Sequence, residues 1–174
     1  MLKDRNEALL LLNKLGATPR LVHHGQTVGG AADAVMDRLQ SLGVNCDAQL
    51  IEMGAMLHDA GKIQYPQELS QPGTLHEQAG EALLLSHGVQ PEVARFCISH
   101  AQWNLPGVSL EERVVALADK LWKGKREADL ELIVIDEVAA RLGGSRWDVF
   151  EALDNTFENI AASRAERLEL SRSY

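Results

Sequence analysis

The sequence predicts an all-α fold, a single helical bundle of about seven to eight helices in which residues 1–174 form one domain. Three observations predict it. Leu, Ala and Glu are abundant while runs of β-branched and aromatic residues are almost absent, which favours helix over strand. Apolar residues recur at spacings of three and four, the period of a half-buried helix. Cap and stop signals bracket the same segments, and no convincing strand pair accompanies them. A chain of 174 residues can bury one real core and is short for two domains.

The elements follow in order. Residues 4–15 read as a short amphipathic helix stopped by Gly16. Thr18 caps and Pro19 opens the next, about 19–42, whose Val28, Ala31, Ala32, Val35, Met36 and Leu39 make a buried stripe. A third helix over 46–60 ends at Gly61, and 62–73, with Pro66, Pro72 and Gly73, reads as a loop. Thr74 and Glu77 form a capping box for a helix running to Gly88. Pro91 opens a short helix ending near His100. Ser109 and Glu112 cap another that runs through Asp119 to about Lys123, where Gly124 breaks it. Helices over 127–142 and 146–170 complete the set. The last starts at Ser145 and buries Phe150, Leu153, Phe157 and Ile160, a stripe that serves either to finish the bundle or to form a homodimer contact.

Charge and cysteine usage narrow the partners. With 17 Lys and Arg against 25 Asp and Glu, the net charge is −8, which repels phosphate backbones and disfavours long nucleic acid. A small phosphorylated molecule stays compatible, because bound metal ions reverse the local field. Cys46 and Cys97 make no disulfide framework and read as small buried hydrophobes in apolar helical segments. The apolar run Ala8 to Leu12 is too short for a signal peptide and follows Asp4, Arg5 and Glu7. No segment approaches the ~20 apolar residues of a membrane span. The expectation is a cytoplasmic protein without a membrane partner.

Six histidines carry more by position than by number. His24 lies on the stripe four residues before Val28, and His58 on the line of Ile51, Gly54 and Ala55. His76 leads Gly80, Leu83 and Leu84. His100 ends the line of Val93, Phe96 and Cys97, and Asp119 continues Val115. Periodicity therefore aims five polar side chains from separate helices at the interior. One such histidine is ordinarily a hydrogen-bonded core imidazole, but five together are not, and a bare buried carboxylate is costly unless paired or metal-bound. Imidazole and carboxylate suit one or two ions of Fe, Mn, Co, Ni or Zn. The adjacent pair His58-Asp59 diverges by ~100° on a helix, so both reach one ion only near the helix end, where Gly61 places them. Asp59 can then bridge two ions with one oxygen to each.

These residues resemble the HD superfamily of metal-dependent phosphohydrolases, whose pattern is a His, a His-Asp pair and a distal Asp. Here it is met by His24 in His-Gly-Gln-Thr-Val, His58-Asp59 in Leu-His-Asp-Ala-Gly-Lys, and Asp119 in Ala-Leu-Ala-Asp-Lys. The resemblance covers about residues 20–126 and implies that these four bind a first metal. His76 and His100 fall where a dinuclear subset of the family carries two further ligands. The Gly-Tyr-Pro motif of the HD-GYP phosphodiesterases is missing after His100-Ala101-Gln102-Trp103, which disfavours that subfamily. In length and order the chain is similar to small dinuclear HD proteins that hydrolyse dinucleoside polyphosphates.

The resemblance implies hydrolysis of a phosphate ester or anhydride of a small molecule, a nucleotide above all, by metal-activated water, with Asp59 and Lys62 as catalytic residues. Lys62, Lys123, Lys125 and Arg126 are expected to anchor substrate phosphate, against the plainer reading of a helix-end lysine and a solvated basic turn. His23 points away from the stripe, His87 reads as a helix-end cation, and Trp103 and Trp122 either pack in the core or wall a pocket. Two other functions share these ligands: an HD-type diiron oxygenase acting on a small substrate, and a non-catalytic module that binds a nucleotide or a partner.

Overall fold

The computed structural model describes residues 1–172, without the side chains of 167, 168, 170 and 171, and every regular element among them is helical. Arg5–Lys14 (α1), Pro19–Ser41 (α2) and Ala48–Leu57 (α3) come first, followed by 3-10 turns at Ala60–Ile63 and Pro66–Leu69. Then come Leu75–Ser86 (α4), the single turns Pro91–Ala94 (α5) and Phe96–Ser99 (α6), and Leu110–Leu121 (α7). Ala128–Arg141 (α8), Arg146–Ala162 (α9) and Arg164–Ser171 (α10) complete the order.

Helix α2 is the central post, packed along α3 and α7. Its Val28, Ala31, Ala32, Val35 and Leu39 are buried as the periodicity predicts, while Met36 is half-buried. They meet Ile51 and Ala55 of α3, Leu117 and Leu121 of α7, Val134 and Val138 of α8, and Leu153 and Phe157 of α9. A second apolar cluster joins Ala8 and Leu12 of α1 to Leu57, Leu84, Val93 and Cys97. Helix α3 feeds both clusters, so its C-terminal end is fixed from two sides. The Arg5 guanidinium clamps α1 to α2 by donating to both Asp33 oxygens, at 3.1 and 2.6 Å.

Several caps form as the sequence predicts. Thr18 accepts the Leu21 amide, Ser109 and Glu112 close a capping box, and the Ser145 amide donates to Asp148 at 2.8 Å. The Thr74–Glu77 box does not form. Glu68 accepts the Leu75 and His76 amides instead, and Glu77 turns inward to accept from Gln102. A full carboxylate arriving from the preceding loop outcompetes the threonine hydroxyl for the positive helix end.

Other boundaries shift for local reasons. The third helix stops at Leu57 rather than 60 and tightens into a 3-10 turn, and Cys46 lies in the connection before it, half-buried. The segment 91–100 splits at Arg95 into two single turns. The last helix breaks at Ser163. Of its stripe, Leu153, Phe157 and Ile160 are buried within the bundle, while Phe150 is half-buried beside the exposed Trp147. Among the described residues, no helix is long and apolar enough to cross a membrane.

Candidate metal centre

Five elements converge on one point. His24 comes from the second turn of α2, and His58 is the residue that ends α3. Asp59 follows at φ −104°, ψ 15°, outside helical geometry. That departure lets adjacent side chains face one centre, which a continuous helix would forbid. His76 stands in the first turn of α4, His100 just after α6, and Asp119 near the end of α7. His58, Asp59, His76, His100 and Asp119 are buried, and His24 is half-buried.

The donors sort into two triads, His24–His58–Asp119 and Asp59–His76–His100, and within each the atoms lie within 4.8 Å of one another. In the first, His24 Nε2 is 3.1 Å from His58 Nε2, and Asp119 Oδ1 is 3.4 and 3.6 Å from the two. In the second, Asp59 Oδ1 is 3.3 Å from His76 Nε2 and 3.4 Å from His100 Nε2. The other Asp59 oxygen turns to the first triad, 3.1 Å from His24 Nε2. One carboxylate thus presents one oxygen to each side.

The imidazole tautomers follow from the outer nitrogens. His58 Nδ1–H donates to the Ala55 carbonyl at 2.8 Å, His100 Nδ1–H to Phe96 at 3.0 Å, and His76 Nδ1–H to the Glu68 carboxylate. In the neutral ring this leaves the Nε2 lone pair aimed inward in each case. His76 Nε2 and Asp59 Oδ1 are buried without a hydrogen-bond partner. Converging imidazole nitrogens and buried carboxylates form a donor set that fits divalent metal ions.

Electrostatics describe an anionic centre that holds positive charge, with His76 as well as His24 raised by the carboxylates beside it. Burial pushes the Asp59 and Asp119 carboxyls upward, but the imidazoles around them outweigh it and hold both well below the usual range. Burial pushes His24 down, yet Asp119 and Asp59 raise it to about 9. His100 is pushed down to about 4 by burial, with Asp59 only partly offsetting this. Two ionised carboxylates and a neutral His100 are ready-made ligands.

A cavity of about 440 Å³ opens beside the first triad, lined by Arg20, His23, Thr27, Lys62, the loop Leu69 to Pro72, Trp122 and Lys123. Lys62 Nζ donates to Asp59 Oδ2 at 2.7 Å. Lys123 Nζ lies 3.8 Å from Asp119. Lys125 is exposed and does not line the cavity. Arg126 is turned away, bound at 2.6 Å to each of Glu131, Asp154 and Glu158. Gly124, at φ 78°, reverses the chain after Lys123 and carries both residues off the site.

Trp122 meets His24 edge to face, with ring centroids 5.2 Å apart, and Trp103 packs against the main core. His23 reaches Thr27 along the cavity flank, and His87 bonds the Leu83 carbonyl at the exposed end of α4. Arg20 and Glu68 escape the sequence reading. Arg20 carried a faint signal, one turn before His24 on the same helix face. Glu68 carried none, because a loop carboxylate has no period.

Residues 22–123, more than half of the chain, match the HD domain family. The chain is also similar to a tRNA (cytidine(56)-2'-O)-methyltransferase of Thermoplasma volcanium, 28% identical over 149 residues. That alignment takes in 77% of this chain and 41% of the relative, so the chain spans well under half of that protein. No solved structure matches. Matched span, motif order and converging ligands together place the chain in the HD domain family.

Proposed function

We propose that this protein is a metal-dependent phosphohydrolase that cleaves a phosphate ester or anhydride of a small molecule, with a nucleotide as the favoured substrate. One observation carries the reading: Asp59 offers one oxygen to the His24–His58–Asp119 side and the other to His76 and His100. Such a shared carboxylate suits one or two divalent transition-metal ions, Fe, Mn, Co, Ni or Zn. Bound there, the metal supplies Lewis acidity toward a phosphoryl oxygen and lowers the pKa of bound water.

The chain's own residues do the rest. His58, His76 and His100 are held in fixed ring orientations by the partners of their Nδ1 atoms, and Asp59 and Asp119 stay ionised near neutral pH. Lys62 sits between Asp59 and the cavity, placed to transfer one hydrogen bond from the carboxylate to a substrate phosphate. Arg20 and Lys123 add positive charge at the rim of an otherwise acidic protein, and Trp122 gives a flat wall for a base. The volume lies within the range of small-molecule sites.

Methyl transfer to tRNA, named for the relative, is not carried over. The match spans a minority of that protein, and a net charge of −8 opposes a polynucleotide backbone. Free Cys46 and Cys97 are compatible with a reducing cytoplasm. The test is a panel of phosphomonoesters, phosphodiesters, nucleotides and dinucleotide polyphosphates, assayed with Mn, Co, Ni, Zn or Fe(II) and again after chelation. Metal-dependent release of phosphate or nucleotide is expected. Metal-loaded protein that hydrolyses none of them sinks the proposal.

A further inference from the structure

Glu68 sits in the 3-10 turn Pro66–Leu69, its side chain only 5% exposed, and both carboxylate oxygens bond to α4. Oε1 accepts the Leu75 amide at 3.2 Å, and Oε2 accepts the His76 amide at 3.1 Å together with the His76 Nδ1–H. His58 and His100 are oriented differently, by carbonyls three or four residues back in their own segments. The orientation of His76 therefore depends on a side chain from another element. That turn ends at Leu69 and runs on into Ser70, Gln71 and Pro72, which with Glu68 form a wall of the cavity.

Gly73 makes the contact possible. A Cβ at Gly73 would fall 2.3 Å from Glu68 Oε1 and 2.4 Å from its Cδ, so any larger residue displaces the carboxylate.

We infer that Glu68 is a positioning residue that fixes His76 for the Asp59–His76–His100 triad and locks the 69–72 cavity wall through the same hydrogen bonds, so that metal occupancy of this triad and order of the wall are coupled. The inference rests on the metal-site reading above. A carboxylate accepting the Nδ1–H fixes the ring and raises the basicity of Nε2 toward a metal, and losing such a partner typically costs about 10- to 100-fold in metal affinity. The ion would act on the wall in return, because coupling free energy is reciprocal.

The test is a calorimetric titration of the metal-free full chain with Co²⁺. Wild type is compared with Glu68→Gln, which removes the charge, with Gly73→Ala, which keeps the charge but displaces it, and with Gly30→Ala as a helix control. Hydrogen exchange of the Leu69, Ser70 and Gln71 amides is followed with and without Co²⁺. Two binding steps are expected in wild type and Gly30→Ala. In Glu68→Gln and Gly73→Ala one step is expected to weaken by about 10- to 100-fold while the other holds. Co²⁺ should slow exchange at residues 69–71 in wild type but not in those two variants. Unchanged affinities, or equal weakening of both steps, would overturn the role of Glu68 and leave the metal site standing. Wild type that binds no Co²⁺ overturns the metal-site reading itself, and Glu68 with it.

Discussion

Gly61 and Gly80 meet backbone to backbone. A Cβ on Gly80 would lie 2.8 Å from the Gly61 nitrogen, and one on Gly61 would lie 1.9 Å from the His76 carbonyl oxygen and 2.7 Å from the Gly80 nitrogen. The 3-10 turn after Asp59 is thereby pressed against the first turns of α4, which brings His76 to Asp59. Two bare α-carbons set the separation of two of the proposed ligands.

Substituting either glycine forces the elements apart, with different severity. At Gly61 the obstruction is backbone, so no rotamer relieves it. Gly61→Ala is expected to destabilise at or above the upper end of the ~1–3 kcal/mol typical of overpacking, and Gly80→Ala by less, because its closest approach is 2.8 Å rather than 1.9 Å. Denaturant midpoints measure both. Equal, small losses would mean that the turn and α4 are not held in close register.

Gly30 is the opposite case. It is exposed in the interior of α2, with nothing within 4 Å of an added Cβ. Gly30→Ala should raise stability by about 1 kcal/mol, the helix propensity difference. A lower melting temperature in this variant would show that α2 bends or is contacted there.

Removing metal should destabilise the fold, since the site then holds mutually facing imidazoles and carboxylates whose partner is gone. A ligand present at 1,000 times its Kd stabilises by about 4 kcal/mol, so chelation should lower the melting temperature measurably and reversibly. A melting curve indifferent to chelator and to added Mn or Co would argue that the cluster is held by hydrogen bonds alone.

The two thiols should react in sequence. Burial, with Glu111 nearby, pushes Cys46 up to about 11, and the deeper burial of Cys97, beside Asp59, pushes its thiol up further. The reactive thiolate is therefore scarce at pH 8 for both. Cys46 is half-buried and should label slowly in the native state, faster as pH rises toward 11. Cys97, fully buried and donating to the Leu57 carbonyl, should label only on unfolding. Native protein that takes up two equivalents of thiol reagent together would mean that the layer beneath the site opens readily.

Most of the fold was legible because helices announce themselves locally. Val28 to Leu39 gave the face of α2, and Ser109 with Glu112 marked the start of α7. The convergence of His24, His58, His76, His100 and Asp119 was legible too, since each sits on an apolar line where a polar side chain needs a partner. What escaped was set by contacts distant in sequence. Glu68 replaced Thr74 as the cap of α4, and nothing in the 62–73 segment distinguishes it from a solvated loop carboxylate. Arg126 looked like a phosphate anchor because it follows Asp119 closely. A single left-handed glycine at 124 sends it to Asp154 and Glu158 instead.

The most direct test of the centre is elemental analysis of protein purified without added metal or tag histidines, beside His76→Ala. A carboxylate shared between two triads predicts about two transition-metal ions per chain, falling toward one in the variant. No metal in wild type, even after reloading, would contradict the centre and leave a helical module without its proposed chemistry.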